Sequence, residues 1–264
     1  MSNVSLTLMF LFHLRQYTVS EVTSWIFGIP LATFGNIIWK IIYQFYSYYS
    51  KQITFPPLQE RLSQSVKFFS YNVTWVGDGM EQECVMSVEK HKAKRMRSGK
   101  KQKYTITKFL GVSARGKCWY YSKSFCGSYN DMNVVSQHIT ITELQQILSD
   151  MEAIVLDSGY IGLERLWRTT NVLTPEKYVS QKWQQDWNAL LIAIRLVAEN
   201  YIAEVRKFKI LQSRFRAKGD IDEILTKHHW VWICCAGIND EFIHPDGLRN
   251  AGWRLEALKA NNKL

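Results

Sequence analysis

The spacing of apolar residues changes near residue 64. Before that point, apolar side chains recur at helical spacing over residues 8–14, 19–27 and 31–49, which predicts three helices. The tripeptide Gly-Ile-Pro at 28–30 separates the last two, because glycine permits a tight turn and proline suits the first position of a helix. Helix, short turn and helix together predict a helix-turn-helix-like unit. One more helix is expected over 58–68.

Beyond residue 64 the pattern becomes that of strands alternating with helices. Short β-branched and aromatic runs predict strands at 73–77, 104–112, 118–125, 153–156 and 171–173, with a hairpin-like turn at 113–116. Helical patterns are expected at 131–137, 142–148 and about 181–215. This alternation predicts an α/β fold, in which helices flank a mixed sheet. We therefore predict a small all-α domain at 1–64 and an α/β domain at 65–264.

Positive charge is concentrated in two segments. The chain has 264 residues and a net charge of +10, yet residues 90–123 alone hold twelve Lys and Arg, and residues 206–218 hold six. Neither segment contains an acid. Clustered cations favour binding to a phosphate backbone, while a nuclear-import signal at 92–103 or a solvated face is the other interpretation. The candidate contacts to DNA are Lys100, Lys101, Lys103, Arg206, Lys207 and Lys209.

The sequence favours neither a membrane span nor a zinc site. Residues 25–49 carry Lys40 as their only charge and approach the roughly 20 residues needed to cross a bilayer. Glycine, proline and several polar residues interrupt that stretch, so buried helices are favoured and no membrane partner is expected. The five cysteines include no Cys-x-x-Cys pair, and Cys234 and Cys235 follow an apolar run typical of a core.

Two aspartates follow predicted strands directly. Asp78 comes after the strand at 73–77 and Asp157 after that at 153–156. The carboxyl edge of an open α/β sheet is the usual place for a ligand site. An aspartate at a strand end is also a common turn former or helix cap. Position alone therefore leaves both interpretations open.

Seven short blocks resemble, in the same order, those of Harbinger-type DDE transposases, a group related to bacterial IS5. The block D-S-G-Y-I-G-L at 157–163 is similar to the family's D-x-G-Y-x-G-L. Two blocks depart from the family's patterns. Met80 stands at the threonine of the family's V-D-G-T, and Asn130 stands at the histidine of its F-P-G-S-x-H-D. The other blocks are V-G-D-G at 76–79, S-G-K-K-Q-K-Y-T at 98–105, F-C-G-S-Y-N-D at 125–131, L-T-P-E-K at 173–177, R-L-V-A-E-N at 195–200 and R-K-F-K-I-L at 206–211.

The resemblance implies a fold, a reaction and a catalytic triad. The α/β domain is then expected to be RNase H-like, with Asp78, Asp157 and Glu199 holding two divalent cations, Mg²⁺ or Mn²⁺, that cut and join DNA. The expected partners are the DNA backbone, transposon ends, a separate DNA-binding protein and further copies of the chain, all in the nucleus. The alternative is a catalytically inactive, transposase-derived DNA-binding protein.

Two residue assignments keep a competing interpretation. Glu199 lies one helical turn after Arg195 and could simply pair with it, a contact worth about 0.2–0.5 kcal/mol. Glu199 and Glu204 are five residues apart, so their side chains point about 140° from each other and only one can complete the triad. We predict Glu199. The helix at 31–49 has few basic residues for contacting DNA bases. It could therefore serve only to pack against the rest of the fold, which is the alternative to DNA recognition.

Overall fold

The computed structural model describes residues 2–85, 90–138, 148–167 and 170–248. It begins with four helices, α1 Asn3–Gln16, α2 Ser20–Ile26, α3 Leu31–Tyr49 and α4 Leu58–Ser63. The predicted break is confirmed, because Gly28 has a φ of 63° and α2 and α3 meet at 91°. The expected helix over 58–68 is wrong in its second half. Residues 66–68 instead extend and pair with the next strand, which gives Val66 and Phe68 buried positions.

A mixed sheet forms the centre of the fold, as predicted. Its path runs β4-β3-β2-β6-β7, with β1 paired to β2 and β5 paired to β3. The pairs of β2 with β3 and β3 with β4 are antiparallel, whereas β2, β6 and β7 run parallel. The strands are β1 Val66–Phe68, β2 Tyr71–Glu83, β3 Thr105–Ser113, β4 Cys118–Tyr121, β5 Phe125–Cys126, β6 Glu152–Val155 and β7 Asn171–Leu173.

Helices cover both faces of this sheet. They are α5 Lys90–Met96, α6 Asp131–His138, α7 Leu163–Leu166, α8 Lys182–Val205, α9 Lys209–Gln212 and α10 Ile221–Ile238, with a 3₁₀ turn at Ser158–Tyr160 and a π-helical turn at Asn239–Ile243. The single helix expected over 181–215 is therefore two, because the chain turns after Val205. Of the helix expected at 142–148, residues 142–147 lie outside the described residues.

Two hydrophobic clusters hold these layers together. The larger joins α8 and α10 to α1 and α3 and includes Cys234 and Cys235, which are buried as the apolar run predicts. The smaller lies under α6 and the 3₁₀ turn, around Trp75 and Phe109. Since α1 and α3 contribute to the larger cluster, the boundary at residue 64 stays a prediction.

Helices α2 and α3 are joined by a short turn, but a helix-turn-helix unit and its use in reading DNA stay predictions. Helix α3 packs against α10 and buries Phe34, Ile38 and Ile42 on that side. Its polar residues Thr33 and Asn36 are exposed. Within the described ranges no single helix is long and apolar enough to cross a membrane, and only the bent pair of α2 with α3 meets the length and composition required.

Candidate active site

The register of β2 against β6 brings Asp78 and Asp157 to the same edge of the sheet. The two parallel strands pair as far as Val76 with Val155, and each aspartate lies two residues beyond its member of that pair. The prediction that a strand ends just before Asp78 is wrong, because β2 continues to Glu83 through its pairing with β3. The strand that ends near the site is β6. Its end leaves the opposite side of β2 open from Asp78 onward.

Asp157 combines a local and a distant role. Its carboxylate caps the 3₁₀ turn, where Oδ1 accepts a hydrogen bond of 2.7 Å from the Ser158 N–H. The same Oδ1 lies 2.9 Å from Nη1 of Arg195 on α8. The helix-cap interpretation of the sequence is thus correct for this aspartate, and it coexists with a contact across the fold.

Glu199 reaches the same place from α8. The buried face of this helix, which includes Ile194 and Ala198, packs on the sheet and leaves Arg195 and Glu199 at its border. Nη2 of Arg195 lies 3.0 Å from Oε1 of Glu199, so the pairing expected one helical turn apart is present. The same guanidinium also contacts Asp157, so Arg195 links Glu199 to Asp157.

Electrostatics links Asp78 to the other two acids. Burial raises the pKa of Asp78 to about 6, against the opposing effect of Arg195 and of a 2.8 Å hydrogen bond from the Gly79 N–H. The negative charges of Asp157 and Glu199 raise the pKa of Asp78 further. A buried carboxylate surrounded by like charges favours a bound cation. Asp78, Asp157 and Glu199 therefore share one electrostatic site.

The donor chemistry fits Mg²⁺ or Mn²⁺, which prefer carboxylate oxygens. In the part of the chain that the structure describes, no three His, Cys, Asp or Glu side chains are arranged to hold a metal ion. In this structure Arg195 engages both Asp157 and Glu199. The residues that could hold a cation are Asp78, Asp157 and Glu199, provided that a cation displaces this guanidinium.

A large cavity extends from the acids along the open side of β2. Its volume is about 840 Å³, and its lining combines acidic and basic side chains. The acidic members are Asp78, Glu81, Glu83, Asp131 and Glu199; the basic members are Lys100, Lys101, Arg206, Lys207 and Arg214. The cavity thus joins candidate cation ligands to cations that could hold an extended polyanion.

The predicted DNA contacts differ in their surroundings. The Lys101 Nζ lies 3.4 Å from a Glu81 oxygen, and Lys103 pairs with Glu83 on the same strand. The Lys207 Nζ lies 2.6 Å from Glu204 on α8. These acids partly neutralise the lysines. Lys103 and Lys209 are absent from the cavity lining, although Lys209 is exposed on α9.

Arg206 differs from the other basic residues because it is half-buried. Its Nη2 donates a 2.9 Å hydrogen bond to the Glu81 carbonyl, and its buried Nε has no partner among the described residues. Burial lowers the pKa of this guanidinium, while the charge of Asp78 acts in the opposite direction. Arg206 is therefore a basic residue of the cavity that lies close enough to Asp78 to interact with its charge.

The structure separates the two candidate glutamates. Glu199 lines the cavity together with Asp78. Glu204 instead pairs with Lys207 and lies 3.2 Å from His244 Nε2, in a different cavity from Asp78. The assignment of Glu199 to the triad stays a prediction, and its location is compatible with that role.

Sequence reasoning missed two members of the site. Asp131, at the start of α6, lines the same cavity as Asp78 and Glu199. Arg195 was expected to contact Glu199 but not Asp157. The signal for Asp131 was its place at the end of the block at 125–131, whereas no local pattern indicates the contact between Arg195 and Asp157.

Comparison with known proteins identifies a family. A family model described as DDE superfamily endonuclease matches residues 77–239, more than half of the chain. The matched range contains Asp78, Asp131, Asp157, Arg195 and Glu199. No curated protein and no solved structure matches the chain.

Proposed function

Because the chain belongs to the DDE superfamily of endonucleases, we propose that it is a divalent-metal-dependent DNA endonuclease of the transposase type. The observation that carries the proposal is the electrostatic coupling of Asp78, Asp157 and Glu199 around Arg195, beside a cavity that is lined by both acidic and basic side chains. An RNase H-like arrangement of the sheet is part of the proposal. The mixed strand order, with parallel β2, β6 and β7, supports it.

The three carboxylates would hold two divalent cations, Mg²⁺ or Mn²⁺. Bound there, the cations would supply charge that activates a water or a 3′-hydroxyl and stabilises the leaving oxygen. Asp78 contributes a half-buried carboxylate, fixed by the Gly79 N–H. Asp157 is fixed by the turn that it caps, and Glu199 by the packing of α8 on the sheet. Their different supports keep the three groups at one edge.

The basic side of the cavity would bind the DNA backbone. Lys100, Lys101, Arg206 and Lys207 line it, and Lys103 and Lys209 would extend the contact beyond its rim. Phosphate contacts of this kind position a duplex without reading its sequence. Target choice, including recognition of transposon ends, would then need the N-terminal helices, a separate DNA-binding protein or a further copy of the chain.

Membership of the Harbinger type is the finer proposal, and it rests on the seven ordered sequence blocks. The fold adds support, because the blocks that contain Asp78, Lys100, Asp131 and Glu199 contribute to one cavity. Action in the nucleus is proposed on the basic segment at 92–103, which would serve import as well as DNA binding.

A non-catalytic DNA-binding descendant is the second candidate. One observation favours it: Arg195 neutralises two of the three proposed ligands. Such an arrangement could persist as a permanent ion-pair network, and the basic surface would still bind DNA. The two candidates differ in whether a cation can replace Arg195.

A nicking assay tests the proposal. Purified protein is incubated with supercoiled DNA, with Mg²⁺, with Mn²⁺ and with EDTA, and the conversion to open circles is measured. We expect metal-dependent nicking that Asp78→Asn abolishes, while Asp186→Asn, a change in an exposed ion pair on α8, leaves it intact. DNA binding without nicking under every metal condition would favour the non-catalytic descendant.

A further inference from the structure

Gly79 follows Asp78 in β2 and lines the cavity together with Asp131, which lies in the first turn of α6. A Cβ built on Gly79 would lie 2.5 Å from Oδ1 of Asp131 and 2.9 Å from the Tyr160 hydroxyl. Both oxygens therefore lie directly against the Gly79 backbone, next to Asp78. Only a residue without a side chain leaves them this space. The end of β6 keeps this part of β2 open toward the acids.

The Tyr160 hydroxyl is buried without a hydrogen-bond partner. Tyr160 is 2% exposed, and its ring packs against Phe109 in the smaller hydrophobic cluster. Within the described ranges its oxygen accepts and donates no hydrogen bond. Buried polar groups are normally paired, so an unpaired hydroxyl next to Asp131, which lines the cavity, points to a ligand or its water as the partner.

Asp131 places a carboxylate beside that hydroxyl. Among the residues that the structure describes, only burial and the charges of neighbouring side chains act on this carboxylate, and none of them forms a hydrogen bond or ion pair with it. Burial raises its pKa, the charge of Lys100 opposes the shift, and the charges of Glu81 and Asp157 reinforce it. Asp131 is thus a partly buried acid with other acids nearby, and the positive charge of Lys100 partly compensates for their negative charges.

We propose that Asp131 is a fourth carboxylate of the cation site, and that the Tyr160 hydroxyl donates a hydrogen bond to a water held by the cation. The inference rests on the proposed function. Mg²⁺ and Mn²⁺ retain waters when carboxylates bind them, and a neighbouring hydroxyl that orients such a water strengthens binding. Gly79 serves this arrangement because it has no side chain at the place that both oxygens occupy.

A structural role for Asp131 is the competing explanation. It lies in the first turn of α6, where a negative charge stabilises the helix N-terminus. That role predicts a loss of stability in the absence of metal, whereas a cation ligand predicts a loss of metal affinity. The two effects are measured separately.

The experiment measures Mn²⁺ affinity by calorimetry and the melting temperature with and without Mn²⁺. For Asp131→Asn we expect affinity to fall about tenfold or more, with a smaller metal-induced rise in melting temperature. Gly79→Ala should produce the same loss although Asp131 is present, because the new methyl group displaces its carboxylate. Gly159→Ala, at a position with open space around it, and Asp186→Asn are the matched controls and should bind as wild type does.

Tyr160→Phe separates the ligand role from a packing role. Removing an unpaired buried hydroxyl should raise the metal-free melting temperature, yet it should weaken Mn²⁺ binding. A purely structural hydroxyl would not move the two quantities in opposite directions. Unchanged affinity in both Asp131→Asn and Tyr160→Phe would overturn the inference.

Asp78→Asn shows which proposal has failed. If it weakens Mn²⁺ binding while Asp131→Asn does not, the fourth-ligand inference is wrong and the proposed nuclease stands. If the wild-type protein binds no Mn²⁺, the proposed function fails and the inference fails with it.

Discussion

The guanidinium of Arg195 joins Asp157 to Glu199, with 2.9 Å from Nη1 to Asp157 and 3.0 Å from Nη2 to Glu199. One cation of the protein thus holds two proposed metal ligands. The Arg195 side chain is 15% exposed, whereas those of Asp157 and Glu199 are about half exposed. The two carboxylates are thus open enough to exchange this partner for a metal ion, whereas the exchange would leave the largely buried guanidinium without both of them.

We expect Arg195→Gln to tighten Mn²⁺ binding about fivefold, because the metal no longer competes with an ion pair worth about 1 kcal/mol. Calorimetric titration measures the change. Lys182→Gln removes an exposed ion pair on the same helix and is the control. Weaker binding in Arg195→Gln would instead mean that the guanidinium keeps the carboxylates in position.

Glu199→Gln should reduce metal-dependent nicking more than about 100-fold, since it removes a proposed ligand. Glu204→Gln should have little effect on nicking and lower the free energy of unfolding by less than about 1 kcal/mol, because its ion pair with Lys207 is near the surface. Supercoiled-DNA nicking and urea unfolding measure the two effects. Loss of nicking in Glu204→Gln alone would reverse the assignment of the third acid.

Neutralising Lys100 should weaken DNA binding more than neutralising Lys103. Lys103 is held by Glu83, whereas the charge of Lys100 faces the cavity near Asp131. We expect Lys100→Gln to flatten the salt dependence of binding by about 0.9, the slope of one lost phosphate contact, and Lys103→Gln to flatten it less. Changing Lys100, Lys101 and Lys103 together should weaken binding to all duplexes alike. Fluorescence anisotropy with two unrelated duplexes tests this, and a sequence-dependent loss would contradict it.

Removing one member of the buried ion pair between Arg61 and Glu152 should lower the free energy of unfolding strongly, whereas replacing both members with apolar residues should lower it much less. The Arg61 Nε and Nη2 donate hydrogen bonds of 2.8 and 2.7 Å to the two Glu152 oxygens, and so join α4 to β6. We expect Arg61→Met to lower the free energy of unfolding by about 3–5 kcal/mol, because Glu152 remains buried without its partner. Combining it with Glu152→Leu should recover much of the loss. Urea denaturation measures both, and equal stability of the two variants would contradict the explanation.

Asp240 should make the protein less stable as pH rises from about 4 to above 6. Burial raises its pKa from 3.8 to about 6, although the Cys118 N–H donates it a 2.9 Å hydrogen bond. Between these pH values the folded state binds more protons than the unfolded state, so stability falls as pH rises, by up to about 3 kcal/mol. Urea unfolding at a series of pH values should show a smaller decline for Asp240→Asn. An identical decline in both proteins would exclude Asp240 as its cause.

Local pattern was sufficient to predict several elements of the fold. The helix at Leu31–Tyr49 and the strand at Asn171–Leu173 were predicted with their observed bounds. The turn at 113–116 also lies between two strands as expected. In each case the periodicity of burial or a turn residue is encoded within a few neighbouring positions.

The length of β2 could not be predicted in this way. The strand continues through Asp78, Gly79 and Glu81, which sequence patterns associate with turns and solvent. These residues extend because β3 supplies hydrogen bonds on one side, while the acids face a cavity on the other. Strand pairing is a long-range interaction, so a local pattern does not contain it.

The sequence by itself determined which acids and bases the site could use, and the order of the blocks that contain them. Only the tertiary structure decided their relationships. It ended β6 beside Asp78, turned Arg195 toward both Asp157 and Glu199, and brought Asp131 and Tyr160 against Gly79. Residue type fixes which charges and hydrogen bonds are available. Which of them meet depends on the packing of helices on the sheet, because that packing brings together residues far apart in the chain.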